Sequence, residues 1–190
     1  KESFMSMQSQ SHTNFNPWHH VHFGDEAPEV VNAIIEIPSG SKGKFELDKA
    51  TGLLKLDRVL FSAVHYPANY GFIPRTYCED KDPLDILVIT SIELPHLCQV
   101  DAKVVGVMRM IDQGEADDKI IAVAANDMSV NHIDNINELP IHTINQVQRF
   151  FEDYKKLEHK DVVVENFLPK GEAFRIIRES IQMYKDKFLW

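Results

Sequence analysis

Three aspartates fall within six residues of the chain, at Asp80, Asp82 and Asp85, with Pro83 among them. Carboxylates this close repel one another unless a cation neutralises them. The apolar run 86–89 follows directly and is typical of a buried strand, so we expect the cluster at the mouth of a rigid element. Hard oxygen ligands held in this way suit Mg²⁺ or a similar divalent ion.

The aspartate cluster has two other interpretations, a calcium loop and a simple acidic turn. An EF-hand calcium loop beginning at Asp80 needs glycine at its sixth position and glutamate at its twelfth, but the chain has Asp85 and Ser91 there, so that interpretation fails. An acidic turn interrupted by Pro83 is the simpler alternative, and the cluster by itself leaves it open.

A second acidic segment, 112–119, lies between two predicted strands and is expected to be a loop. Alone, such a loop most often faces solvent, but beside the first cluster it could complete a cage for several metal ions. Basic and phenolic groups are scattered elsewhere, at Lys44, Arg58, Tyr66, Tyr70, Lys119, Tyr154 and Lys155. Each residue alone is more typical of a structural role. Together they offer what a phosphate substrate requires, since arginine donates two parallel hydrogen bonds to phosphate oxygens, lysine provides a compact positive charge and tyrosine a neutral donor.

The elements that must position these residues change character along the chain. Short strands are predicted at 33–37, 43–47, 53–56, 86–89, 102–110 and 119–124, which favours a small antiparallel barrel or sandwich. In the last third, apolar residues are spaced as on one face of a helix, first over 144–154 and then over 174–188. The pattern predicts two helices packed on a β structure.

Length and charge exclude several classes of protein. A chain of 190 residues is most simply one domain, and its formal net charge of −9 disfavours nucleic acid as a partner. No apolar run approaches the length of a membrane span. Cys78 and Cys98 are expected to stay reduced, which predicts a cytoplasmic protein. Residues 1–16, rich in Ser, Gln, Asn and His, are predicted to be disordered, with a single domain over 17–190.

Segments in a fixed order along the chain match one known family. They are 35–38 (IEIP), 44–48 (KFELD), 57–58 (DR), 66–74 (YPANYGFIP), 80–85 (DKDPLD), 112–119 (DQGEADDK) and 150–155 (FFEDYK). On these segments the chain resembles the soluble inorganic pyrophosphatases of family I, in their short bacterial and plant form, from about Trp18 to Tyr184. Several matches in the same order are much more specific than the aspartate cluster alone.

The resemblance implies a fold and an activity. The fold is mainly β with α, a five-stranded OB-like β-barrel flanked by two C-terminal helices. The activity is metal-dependent hydrolysis of inorganic diphosphate to two orthophosphates, by a water activated between divalent metal ions. Several Mg²⁺ ions are expected, with Mn²⁺ or Zn²⁺ as substitutes, and so is a homo-oligomer, with a hexamer favoured.

The resemblance also implies roles for individual residues. Asp82 is expected to be the general base, or the group that orients the attacking water. The expected metal ligands are Asp80, Asp85, Asp112, Asp117 and, at the rim, Glu36, with Asp85 bridging two ions. The expected phosphate-binding residues are Lys44, Arg58, Tyr70, Tyr154 and Lys155, with Lys119 nearby and Glu46 and Tyr66 in secondary positions.

The implied chemistry agrees with the residue types. Diphosphate is a dense polyanion that repels hydroxide, and two ions about 3.5–4 Å apart can lower the pKa of a shared water from about 15.7 toward about 7. Basic groups then offset charge on the phosphates. One position departs from the family pattern, because Lys81 stands where Gly, Ser or Asn is usual. A cation there is expected to weaken metal binding, so Lys81→Gly is expected to raise the apparent Mg²⁺ affinity.

Three other functions would use some of the same residues. A two-metal phosphohydrolase acting on nucleotides or phosphomonoesters should offer an apolar slot for the organic half, and the matched residues are nearly all charged or phenolic. A barrel binding single-stranded nucleic acid needs a basic groove with stacking aromatics, which the net charge disfavours. A structural metal-binding protein would bind Mg²⁺ without hydrolysing anything.

Overall fold

The structure is a computed structural model, and it describes residues 14–189. Its strands are β1 (Val30–Ile37), β2 (Gly43–Leu47), β3 (Leu54–Val59), β4 (Asn69–Phe72), β5 (Asp85–Ile89), β6 (Gln99–Asp112), β7 (Glu115–Ala116), β8 (Lys119–Ala124) and β9 (Val162–Pro169). Its α-helices are α1 (Pro17–His20), α2 (Ile141–Asp153) and α3 (Lys170–Phe188).

Five strands close into a ring in the order β1-β4-β5-β8-β6, and β6 pairs with β1 to complete it. The β5–β8 pair is parallel, and the other pairs of the ring are antiparallel. Strand β6 is long enough to pair with β1 near its start and with β9 near its end. The predicted fold class, mainly β with a five-stranded ring and two C-terminal helices, is confirmed.

Both predicted helical stripes pack on the sheet. The two central strands β5 and β8 are almost wholly apolar and buried, and their alternate residues belong to different apolar clusters. Ile86 and Ile120 belong to the cluster that includes Ile177 of α3, whereas Leu87 and Ile121 belong to the cluster that includes Phe151 of α2. The strands β5 and β8 are therefore buried on both faces, with one cluster shared with α3 and the other with α2.

The strand predictions at 43–47 and 119–124 match β2 and β8 at both ends. Strands β4 and β9 were not predicted, since β4 is only four residues long and β9 lies between the two predicted helices. The predicted loop 112–119 is a tight hairpin, in which Gln113 and Gly114 take positive φ of 50° and 87° between β6 and β7. The wholly antiparallel arrangement was wrong for the β5–β8 pair.

Helix α1 is capped at its N-terminus by Asn16, whose side chain accepts the Trp18 N–H at 3.0 Å. Residues 1–13 of the predicted disordered segment lie outside the described residues, so that prediction and the boundary at 16/17 stay predictions. Within residues 14–189, none of the helices combines the length and the apolar character that crossing a membrane requires.

Candidate active site

A cavity of about 660 Å³ lies between the β2–β3 hairpin and the ends of the ring strands. Its charged and phenolic lining consists of Glu36, Lys44, Glu46, Asp48, Lys49, Lys55, Tyr70, Asp80, Asp82, Asp85, Asp112, Asp117, Lys119, Tyr154 and Lys155. Every residue predicted for the site lines this cavity except Arg58 and Tyr66. Segments far apart in the sequence therefore meet around one space.

The floor of the cavity is built on the register between β5 and β8. Asp85 and Lys119 are the first residues of these strands and lie opposite each other in the parallel pair. The Lys119 side chain is only 2% exposed, and its Nζ donates to Asp85 Oδ2 at 2.8 Å, Asp117 Oδ1 at 3.0 Å and the Tyr70 hydroxyl at 3.2 Å. A buried ammonium needs such partners, so Lys119 fixes both carboxylates in place.

The electrostatics of this network are dominated by burial. Burial alone lowers the pKa of Lys119, but the adjacent Asp85 and Asp117 carboxylates reverse the effect and hold this pKa well above its usual range. Burial raises the pKa of Asp85, and the Asp117 charge adds to that rise while Lys119 opposes it. The site thus contains more negative charge than Lys119 alone neutralises.

The aspartate cluster sits in a loop that is tied down from within. Thr76 Oγ1 donates to the Ile73 carbonyl at 2.6 Å and accepts the Leu84 N–H at 2.8 Å, which closes the loop at its base. At the tip, Asp80 Oδ1 accepts the Asp82 N–H at 3.1 Å. Burial, followed by the nearby Asp82 and Asp117 charges, raises the pKa of Asp80. The Asp80 carboxylate is thereby held beside the other acids.

Glu36 is the most strongly perturbed acid of the rim. It is buried at the end of β1, and its Oε2 accepts the Leu47 N–H at 2.6 Å. Burial raises the pKa of Glu36 to about 8, and the Asp85 and Glu46 charges contribute to the rise. A cation bound nearby would lower the pKa of this carboxyl.

The donor set fits a hard divalent cation. Among residues 14–189, every potential metal ligand in the cavity lining is an oxygen, since neither His nor Cys of this part of the chain lines it. Asp112 Oδ1 is buried and has no hydrogen-bond partner among the described residues, which leaves a lone pair for a ligand. Within residues 14–189, no group of three or more acidic, His or Cys side chains lies close enough together to hold a metal ion. Lysines hold the carboxylates instead, with Lys119 on Asp85 and Asp117 and Lys155 on Asp112.

The predicted phosphate-binding residues are divided between the cavity and its surroundings. Lys44 lines the cavity and pairs with Glu46 at 3.4 Å, and Tyr154 lines it from the end of α2. Arg58 does not line the cavity, because its Nε lies 3.0 Å from Glu158 Oε1. Tyr66 is 2% exposed and packs against Phe150 and Tyr70, beneath the lining. The structure therefore does not bring these last two residues to the cavity.

Several residues of the lining were not predicted from the sequence, and Lys49 and Trp18 are the two that contact the predicted site or each other. Lys49 follows β2 in a turn, and Trp18 comes from α1, which lies far from the other motifs in the sequence. Lys49 pairs with Asp82, and its Nζ lies 5.4 Å from the centroid of the Trp18 ring. The adjacency of Lys49 to the 44–48 segment was the available signal, whereas nothing local marks Trp18 as a cavity residue.

Comparison with known proteins gives a consistent result. The sequence profile of the inorganic pyrophosphatase family matches residues 33–185. The soluble inorganic pyrophosphatase of Oryza sativa subsp. indica is 52% identical over 183 residues, covering 96% of this chain and 86% of the relative. Soluble inorganic pyrophosphatase 4 of Arabidopsis thaliana is 51% identical over 185 residues, covering 97% and 86%. The crystal structure of the inorganic pyrophosphatase from Thermus thermophilus superposes with a TM-score of 0.87 at 41% identity, covering 90% of this chain and 99% of that one.

Proposed function

The chain belongs to the inorganic pyrophosphatase family, whose members hydrolyse diphosphate to two orthophosphates, and we propose that the acidic cavity is where this hydrolysis takes place. The observation that carries the proposal is the Lys119 network, in which one buried ammonium joins Asp85, Asp117 and Tyr70. This network supports the proposal because its acids, of a type suited to divalent ions, lie beside groups suited to phosphate in one cavity of about 660 Å³.

Membership of this family implies a divalent metal, and we propose that Mg²⁺ is preferred, with Mn²⁺ or Zn²⁺ as substitutes. The residues that would hold the ions are Asp80, Asp85, Asp112 and Asp117, with Glu36 and Glu46 at the rim of the cavity. The oxygen-only lining and the unpartnered Asp112 Oδ1 support this assignment. When bound, such ions supply an activated water and offset the charge of the phosphates.

The chain's own residues have complementary tasks. The Asp82 side chain is about half exposed, so its carboxylate can accept a proton from an attacking water inside the open cavity. Lys44, Tyr70, Tyr154, Lys155 and Lys119 line the same cavity and are proposed to hold phosphate oxygens. Arg58 can join them only if its guanidinium leaves Glu158 and Asp57, so its role is proposed with that rearrangement.

The first test is orthophosphate release from diphosphate, with and without Mg²⁺. Asp82→Asn is expected to keep the fold and to lower turnover about 10²–10⁴-fold, the range typical of positioned proton transfer. Asp85→Asn removes a proposed metal ligand and is expected to keep the fold and to lose most of the turnover. Asp25→Asn, an exposed acid outside the cavity, is the matched control and should match the parent. A parent-like rate in Asp82→Asn would refute its role as base. Parallel assays with ATP and a phosphomonoester separate this reaction from that of a broader phosphohydrolase.

We also propose a homo-oligomer, with a hexamer favoured. Leu56, Val59 and Phe61, on and just after β3, are each more than half exposed, and association would cover such apolar area. Sedimentation velocity would give a single monomer boundary if this proposal is wrong.

We propose the cytoplasm as the compartment because Cys78 and Cys98 are free thiols. Cell fractionation tests that assignment.

A further inference from the structure

Lys49 lies in the turn between β2 and β3, on the rim of the cavity. The backbone of this turn is fixed, because Asp48 Oδ1 accepts the Ala50 and Thr51 N–H groups at 2.9 and 3.0 Å. The Asn16 side chain also donates to the Lys49 carbonyl at 3.0 Å. The main chain therefore holds Lys49 at the rim, and only its side chain can change partners.

The Lys49 ammonium has three neighbours, and one of them, the Lys81 carbonyl, accepts a long hydrogen bond from it at 3.4 Å. The ammonium also forms an ion pair with Asp82, and it lies 5.4 Å from the centroid of the Trp18 ring. The Lys49 and Asp82 side chains are 48% and 53% exposed, and ion pairs with this exposure are weak. An aromatic face attracts an ammonium without neutralising its charge. Lys49 can thus leave Asp82 while Trp18 keeps it beside the cavity.

Two buried lysines of the cavity, Lys119 and Lys155, cannot change partners as easily as Lys49. Lys119 and Lys155 are 2% and 11% exposed, and each is held by carboxylates deep in the site. Cations bound to those carboxylates would repel a lysine from Asp82, and a polyanion in the cavity would attract it. Both effects move the Lys49 ammonium in the same direction, from Asp82 toward the ligand.

We propose that Lys49 is a further substrate-binding residue, which exchanges Asp82 for a phosphate oxygen of diphosphate when the ligand enters. This inference rests on the proposed location of hydrolysis in the acidic cavity. In the absence of ligand, the same lysine neutralises Asp82 and keeps the proposed base from repelling its acidic neighbours. Release of Asp82 and capture of the phosphate are then one event.

The test measures binding of imidodiphosphate, a non-hydrolysable diphosphate, by calorimetry on the Mg²⁺-loaded protein. Lys49→Met keeps the length of the side chain and removes its charge. We expect it to weaken binding about three- to tenfold, the effect of losing one partly exposed charged hydrogen bond. Lys49→Arg keeps the cation and should remain within about twofold of the parent. Lys42→Met, an exposed lysine that precedes β2 and does not line the cavity, is the matched control and should bind as the parent does.

Steady-state kinetics distinguish substrate binding from an effect on Asp82 alone. If Lys49 binds substrate, Lys49→Met raises KM by a similar factor and changes kcat little. If Lys49 only restrains Asp82, the variant changes kcat and its pH profile while imidodiphosphate affinity stays at the parent value, and the inference is overturned. A parent protein that neither binds imidodiphosphate nor hydrolyses diphosphate would overturn the proposed function, and the role of Lys49 with it.

Discussion

Lys81 occupies a backbone conformation that ordinary residues avoid. It has φ of 71°, in the left-handed region, within the aspartate loop. The Lys81 N–H donates to the Cys78 carbonyl at 3.0 Å, and the Cys78 N–H donates to the Asp82 carbonyl at 2.9 Å. The turn between Asp80 and Asp82 requires this φ, which explains physically why a glycine or asparagine is suited to the position.

The size of the strain can be worked out from the backbone. A side chain in the left-handed region costs about 1–2 kcal/mol relative to glycine. Glycine also raises the conformational entropy of the unfolded chain, and this offsets about 0.4–1 kcal/mol of the stability gained. We therefore expect Lys81→Gly to raise the free energy of unfolding by about 0.5–1 kcal/mol, and Lys81→Asn to gain a similar amount. For a chain of this size the shift in Tm is about 1–4 °C.

Thermal unfolding of the metal-free protein measures this effect, with Lys81→Ala as the matched control. Alanine removes the same charge but keeps a side chain at the same φ, so it should leave Tm unchanged. If Lys81→Ala gains as much stability as Lys81→Gly, the charge is the cause and the backbone argument is refuted.

The same variants decide the expected effect of Lys81 on the metal. Lys81 is exposed and does not line the cavity, and exposed charges are screened over about 8–10 Å. The rise in apparent Mg²⁺ affinity is therefore expected in both Lys81→Gly and Lys81→Ala and should not exceed about twofold. A rise restricted to Lys81→Gly would assign the effect to loop geometry.

Two further predictions concern stability. The pKa of Glu36 is raised from 4.5 to about 8 in the folded protein. Between these two pH values the folded protein binds more protons than the unfolded chain does. The free energy of unfolding of the metal-free protein should therefore fall as the pH rises from 4.5 to about 8. Glu36→Gln should flatten the dependence of the unfolding free energy on pH between 5 and 8, measured by urea denaturation with a chelator, and an unchanged slope would contradict this. At Gly71, a Cβ would lie 1.8 Å from the Ile34 carbonyl oxygen, so Gly71→Ala should lower the unfolding free energy by about 3 kcal/mol or more. Gly171→Ala is its control, because a Cβ there would meet no described atom within 4 Å beyond the adjacent residues and the backbone of its own helix, and it should be neutral or slightly stabilising in the same denaturation series.

Local patterns in the sequence were sufficient for several elements. The apolar run after Asp85 predicted β5, and the spacing of Val147 and Phe151 predicted the buried face of α2. Where the local signal was weak, the prediction failed. Strand β4 consists of four residues around Gly71, and it is a strand because β1 and β5 pair with it on both sides.

The sequence by itself determined the family, the acidic motifs and the helical faces, because these depend on residue type and on spacing over a few positions. Only the tertiary structure decided which charges meet. Lys119 reaches Asp85 through the parallel register of β5 and β8, Lys49 reaches Asp82 across the cavity, and Arg58 turns to Glu158. Such contacts join residues distant along the chain, and strand register and loop closure place them to within a few ångströms, a precision that spacing in the sequence does not carry.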